Sequence, residues 1–213
     1  MLEFGAGWAW GYCAGDRRVG YVEAIELVEP AEPTHIVCEA SAPIEAEGDI
    51  SSPVLARLPM GSLLTGYERG ACLATEIGCV PTCYLRPVGE HESDPAAVAE
   101  RLIDVPYRKG GRSFHGIDSA GLVQVALGLC GIEAPRDPDL QMAMGEPVPE
   151  GEPLRRGDLV FSEQHVAMAV DAENVIHVSW FSRKVAVEPL DEAHFPTSQG
   201  EGPAPIERRR IAL

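Results

Sequence analysis

Ser119 stands at the head of a helical pattern, behind the glycine-rich turn of "GGRSFHGIDSAGLVQVALGLCGI" (residues 110–132). A nucleophile there would sit at a helix N-terminus, where the backbone dipole favours an anion. That position suits a thiol best, because a cysteine near pKa ~8.5 is drawn toward neutrality by the dipole and a nearby imidazolium. A serine hydroxyl must instead give its proton to a base during attack. His165 opens one strand candidate and His177 lies on the next. If residues 171–173 form a three-residue loop, 167 opposes 177 and 165 opposes 179. The two histidines then share a face, one diagonal step apart. A two-residue loop would put them on opposite faces. A nucleophile, a base and a third group that orients the base are the components of covalent acyl transfer. The plain alternative stays open on these residues alone: Ser119 as a helix cap and two core histidines.

The elements that must position these residues follow from the pattern around them. Ser93 or Asp94 can cap a first helix, with Pro95 in its first turn and "AAVAERLID" behind it. The loop "VPYRKGGRSFHGID" leads to a second helix from about Ser119 to Cys130, stopped by Gly131. One further helical turn is expected at 138–144. Strand candidates follow at 158–162, 165–171, 174–180 and 184–190, and "IERRRIAL" closes the chain as a last strand with "ERRR" on its exposed side. Helices followed by antiparallel strands read as α+β. Upstream, residues 7–28 read as a hairpin around the turn "AGDR", and "EPAEPT" (29–34) as a linker. Residues 34–88 carry short apolar runs with turn signals, the mark of a small barrel. Trp8, Trp10 and Tyr12 alternate on one strand and so share a side, which reads as barrel core or edge rather than a ligand platform.

The chain has 213 residues and a net charge of −16. That charge argues against nucleic acid and against anionic membrane surfaces as partners. No run approaches the roughly 20 apolar residues that span a bilayer. No signal peptide is seen at the N-terminus, which favours a cytoplasmic over an exported protein. The six cysteines (13, 38, 72, 79, 83 and 130) make no zinc pattern and are expected as free thiols, with disulfides among the first five left open for a protein that works outside the cytoplasm. Cys130 lies about three turns along the helix from Ser119 and reads as a core thiol. No metal and no cofactor is expected, since Ser119, His165 and His177 lack the thiolate or carboxylate that completes a zinc site.

The order of motifs carries a resemblance. "VPYRKGGRSFHGIDSAGLVQVALGLCGIEAPRD", followed by "RRGDLVFSEQHVAMAVDAENVIHVS", resembles the NlpC/p60 family of cell-wall cysteine peptidases over residues 95–213. The resemblance implies a papain-like α+β core that cuts peptidoglycan peptides, commonly between D-γ-glutamyl and a diamino acid. Residues 34–88 look like one bacterial SH3-like barrel, and residues 1–33 like a partial copy of another. Such an incomplete module leaves an open strand edge, which would allow homo-oligomers. Carried over by motif, Ser119 falls at the nucleophile, His165 at the general base and His177 at the group that orients it. Tyr107 and Asp118 fall where the family shapes the site and contacts the substrate's amine.

The departures bear on activity. The family has Asp-Cys-Ser-Gly where this chain has Asp118, Ser119, Ala120 and Gly121, and its usual Trp before the Gly-Gly pair is Lys109. His115 stands where the family is often acidic or small, and reads here as a surface residue. The favoured reading is an inactive or severely impaired homologue that still binds peptidoglycan stem peptides. Two others stay open. One is an active hydrolase of the γ-D-glutamyl-diamino acid bond, acting through Ser119 or through a cysteine in an unaltered parent. The other is a non-enzymatic partner-binding module.

Overall fold

A computed structural model describes residues 3–13, 18–49, 51–162, 165–193 and 207–212. The chain divides into two units, residues 1–32 and 33–213. In the first, β1 (Glu3–Gly5), β2 (Trp8–Tyr12) and β3 (Val19–Glu23) form an antiparallel meander. The turn between β1 and β2 uses Ala6 (φ 51°) and Gly7 (φ 81°), the double left-handed conformation that matches strand twist. The expected hairpin is present as β2–β3, pairing Trp8 with Glu23 and Tyr12 with Val19. Its turn, residues 14–17, lies outside the described residues. Trp8 and Tyr12 are exposed, so this strand does not bury its aromatic row as a barrel core would.

In the second unit, residues 34–88 form two small antiparallel sheets. Their strands are β4 (His35–Val37), β5 (Ser41–Glu45), β6 (Val54–Pro59), β7 (Leu63–Leu64), β8 (Tyr67–Arg69), β9 (Cys72–Ala74), β10 (Cys79–Pro81) and β11 (Leu85–Pro87). The orders are β6-β5-β10-β9-β8 and β11-β4-β7. Val37, Ala42, Ile44 and Val80 fill the space between them, with Leu58, Leu64, Tyr84 and Leu85 packed around. The sequence pattern missed β5 and β6. Pro43 breaks the β signature of one, and Val54 and Leu55 are exposed on the other.

Glu92 joins this segment to the helices. Arg86 on β11 donates to its carboxylate at 2.8 Å, and Arg101 donates to it at 2.9 Å and to the Cys38 carbonyl at 2.8 Å. Cys38 and Met60 lie in the same apolar core as the helices that follow. Residues 34–88 thus keep a small core of their own and meet the helices through Cys38 and Met60.

Helix α1 (Pro95–Glu100) starts as expected. Asp94 accepts from the Ala96 and Ala97 N–H groups at 3.0 and 3.1 Å, and Pro95 occupies the first turn. Arg156 reaches across to Asp94 and, with both terminal nitrogens, to Glu100. The expected loop before the second helix contains a short hairpin, β12 (Arg112–Ser113) with β13 (Gly116–Ile117). Helix α2 (Ser119–Leu129) is buried along nearly its whole length. Gly131 (φ 78°) ends it in the left-handed conformation, and the Ile132 N–H closes on the Leu127 carbonyl at 3.0 Å. Helix α3 (Pro138–Gln141) and β14 (Glu146–Pro147) follow.

The last sheet contains β15 (Leu159–Ser162), β16 (His165–Ala169), β17 (Asn174–Val178), β18 (Val185–Pro189) and β19 (Glu207–Arg210), in the order β14-β19-β15-β16-β17-β18. Leu159, Phe161, Val166, Met168 and Ile176 pack with α1 and α2. Val160, Ala167, Ala169 and Val175 form a second cluster with Leu154 and Ala193. Apolar layers on both sides explain why these strands read as nearly continuous apolar runs. The "ERRR" segment, expected on the exposed side of the last strand, is exposed at Glu207 and half-buried at Arg208, Arg209 and Arg210. As β19 it lies between β14 and β15, and Arg210 is held by Asp158 and Glu152.

Asp94 is both a helix cap and an ion-pair partner. Asp94→Ala should cost about 1–2 kcal/mol. The check is a urea denaturation whose midpoint falls while its slope stays unchanged.

Candidate active site

The site is built around the first turn of α2. Asp118 caps it, accepting from the Gly121 N–H at 2.8 Å through one oxygen. Its other oxygen accepts from the Gly110 N–H at 2.7 Å and from Arg136 Nη2 at 2.7 Å. Arg136 also donates to the Gly111 carbonyl at 3.2 Å. The Gly-Gly turn is therefore fastened to the helix start. Glycine is required here for close approach. A Cβ on Gly121 would lie 2.4 Å from the Gly111 carbonyl oxygen, and one on Gly111 would lie 2.3 Å from that of Gly116.

Ser119, the first residue of α2, is buried, and so is Ala120 beside it. Gln141 donates to the Ala120 carbonyl at 2.9 Å and to that of Pro135 at 2.8 Å, which holds the first turn from its far side. Tyr107 is bridged to Ile117 in parallel register, and its N–H donates to the Arg183 carbonyl at 2.7 Å. The Arg183 guanidinium lies 4.9 Å from the Tyr107 ring and 5.5 Å from the Trp180 ring. These are cation–π distances. His115 is exposed and packs against Phe114.

The histidines come from the sheet that α2 packs against. The β16–β17 hairpin pairs Met168 with Ile176 and Ala169 with Val175, the register of a three-residue loop at 171–173. Asp171 fixes that loop by accepting from the Glu173 and Asn174 N–H groups at 2.9 and 2.8 Å. His165 Nε2 and His177 Nδ1 meet at 3.0 Å. His177 Nε2 in turn meets Glu188 Oε2 at 3.0 Å.

His177 is fully buried and His165 nearly so. Burial is the main cause that pushes His165 from the usual 6.5 down to about 3. Repulsion from His177 when that ring is protonated adds to this, and the Asp118 carboxylate opposes it. Burial also lowers His177, against the pull of Glu188. Both rings are therefore neutral at physiological pH. Cys130, half-buried against the apolar core, is raised to about 11 chiefly by burial, the behaviour of an inert thiol.

Among the residues expected from the sequence, His165 and His177 touch. Asp118 acts electrostatically on His165, Ser119 heads the helix packed on their strands, and Tyr107 is tied to the strand leading into that helix. Asp118 is engaged with Arg136. Sequence reasoning missed Glu188 and the pairing of Arg136. The signal for Arg136 was its place in "APRD", within the motif order itself. No group of His, Cys, Asp and Glu among the described residues has a metal-binding arrangement. No helix among them is long and apolar enough to cross a membrane.

Residues 104–199 match the NlpC/P60 family. The chain is 30% identical over 204 residues to dipeptidyl-peptidase 6 of Lysinibacillus sphaericus, covering 86% of this chain and 74% of that protein. The chain belongs to the NlpC/P60 family. The crystal structure of an NlpC/P60 family protein from Bacillus cereus superposes with a TM-score of 0.76 at 19% identity, covering 96% of this chain and 76% of that one. NlpC2 from Trichomonas vaginalis gives 0.52 at 17% identity, covering 99% and 83%. These two likenesses establish the mixed helix-and-sheet peptidase fold.

Two outcomes follow from this geometry. Arg136→Ala leaves the Asp118 carboxylate without its partner in a largely buried place, where loss of one member of an ion pair costs about 3–5 kcal/mol. Chemical denaturation should register that loss, with α2 protection from hydrogen exchange falling first. The second concerns acid. The folded-state pKa of His165 lies below the unfolded value, so the unfolded chain takes up the proton first. Stability is full above about pH 6.5 and falls toward pH 3, at a slope of about 1.4 kcal/mol per pH unit for one proton. Urea midpoints measured from pH 7 to 5 should decline more steeply for the native chain than for His165→Gln.

Proposed function

We propose that this NlpC/P60 protein binds a peptidoglycan stem peptide at the Ser119 helix terminus and has little or no peptidase activity. Tyr107 and Asp118 shape the site and contact the peptide's amine, while Ser119, His165 and His177 occupy the catalytic positions. The observation that carries the reading is Ser119 itself. A thiolate at this position would hold a neighbouring imidazolium, whereas a hydroxyl offers no anion. Burial then keeps His165 neutral and makes it a weak base at physiological pH. Family membership and the similarity to a dipeptidyl-peptidase support a peptide ligand from the cell wall. Residues 34–88 are read as an SH3-like module of the kind that accompanies such a core, and residues 1–33 as an incomplete one.

A second reading, hydrolysis by Ser119 as an oxygen nucleophile, is favoured by one observation. The His165–His177–Glu188 series keeps the order a general base requires.

The test is a calorimetric titration with L-Ala-γ-D-Glu-diaminopimelate. Saturable binding is expected, with the His165 and His177 resonances shifting. No binding at millimolar peptide refutes the proposal. The native chain should leave the peptide intact over hours, and Ser119→Cys, alone or with Ala120→Ser, should restore cleavage. Hydrolysis by the native chain, with fluorophosphonate labelling of Ser119, would establish the second reading instead.

A further inference from the structure

The contact between His165 and His177 does not by itself say which nitrogen of each ring carries the proton. The next strand decides it. A carboxylate has lone pairs and no proton to give, so the 3.0 Å contact with Glu188 requires the hydrogen on His177 Nε2. A neutral His177 then has a bare Nδ1, which can only accept. Its partner at 3.0 Å, His165 Nε2, must be the donor. A neutral His165 is thereby left with an unprotonated Nδ1. The reverse pattern would set the bare His177 Nε2 against the carboxylate, lone pair facing lone pair.

The sheet holds this chain of groups in place. His165, His177 and Glu188 come one each from β16, β17 and β18, three neighbouring strands. β17 is paired on both sides, and against β18 it sets His177 opposite Ala186 and Val175 opposite Glu188. Glu188 is thus one diagonal step from His177, within reach of a long side chain. Moving β16 or β17 would break ladder hydrogen bonds of strands buried on both faces, and β18 is paired to β17 over all five of its residues.

We infer that Glu188 is a positioning residue whose carboxylate fixes the tautomers of His177 and His165, so that His165 keeps Nδ1 unprotonated. This role goes beyond the family's nucleophile, base and orienting group. It holds whether or not the site binds peptide, so the two proposals fail separately.

The test is 15N NMR of the histidine side chains in the full chain at pH 7 without ligand, with assignments from His→Gln variants. Both His165 and His177 should carry the proton on Nε2. In Glu188→Ala the His177 ring loses its acceptor, and a large share of His165 should move to the Nδ1–H form. Glu188→Gln keeps an accepting oxygen and should retain the native pattern, which a merely structural role would not require. Finding Nδ1–H on His165 in the native chain would overturn the inference. So would unchanged tautomers in a folded Glu188→Ala. If Glu188→Ala does not fold, the native spectrum and Glu188→Gln still decide the matter. Under the inference Glu188→Gln matches the native spectrum, and a changed tautomer in it overturns the inference.

Discussion

The Asp118 carboxylate holds three segments of the chain together. It caps α2, receives the N–H of the Gly-Gly turn, and pairs with Arg136 from the segment beyond the helix. Without a helix cap the first turn frays. The Gly110 bond adds a side-chain tie to a loop already held by the Arg108 N–H on the Ile117 carbonyl and the Ile117 N–H on the Pro106 carbonyl, both at 3.0 Å. Without Arg136 the charge has no compensation. Since the same charge also acts on His165, helix start, loop course and imidazole electrostatics share one residue. Its short side chain allows this, because only two torsions separate its oxygens from the backbone.

The second framework is the sheet. Strand spacing near ~4.8 Å sets successive side chains across the ladder at distances that an imidazole ring can bridge. The buried histidines therefore need no loop to hold them. Three of their four ring nitrogens, both of His177 and Nε2 of His165, are satisfied by each other and by Glu188, as buried polar atoms must be. The arrangement is costly in acid, because protonating the first ring has to be done away from water.

Much of this is legible in the sequence. The start of α2 declares itself within one residue: Ser119 is the cap candidate from its type, and Asp118, one residue earlier, is the cap; Gly131 marks the helix end. The two histidines can be put together because Asp171 and Asn174 give the intervening loop a recognisable turn signature. Glu188 is hidden for the opposite reason. The connection between β17 and β18 places Arg183 in the left-handed region (φ 57°), and an arginine gives no warning of that conformation. The register that brings Glu188 beside His177 is therefore invisible. β5 is concealed by Pro43, which breaks the usual strand composition. "ERRR" looks like a solvated face because its charges are adjacent in sequence. The partners of Arg210, Asp158 and Glu152, stand 52 and 58 residues away along the chain.

The place of β19 has a consequence for how the domain is made. Residues 207–210 lie between β14 and β15, not at a margin of the sheet. Synthesis therefore delivers every functional group, Ser119 through Glu188, before it delivers the element that joins β14 to the rest of the sheet. Until then β15 presents an unsatisfied edge and Asp158 waits, buried, for the Arg210 guanidinium. The nascent domain holds an open template for pairing with other chains, and its final closure depends on a four-residue strand of which three are arginines. Those charges discourage that segment from aggregating while it waits, and one of them, Arg210, pairs with Asp158 and Glu152 when it docks.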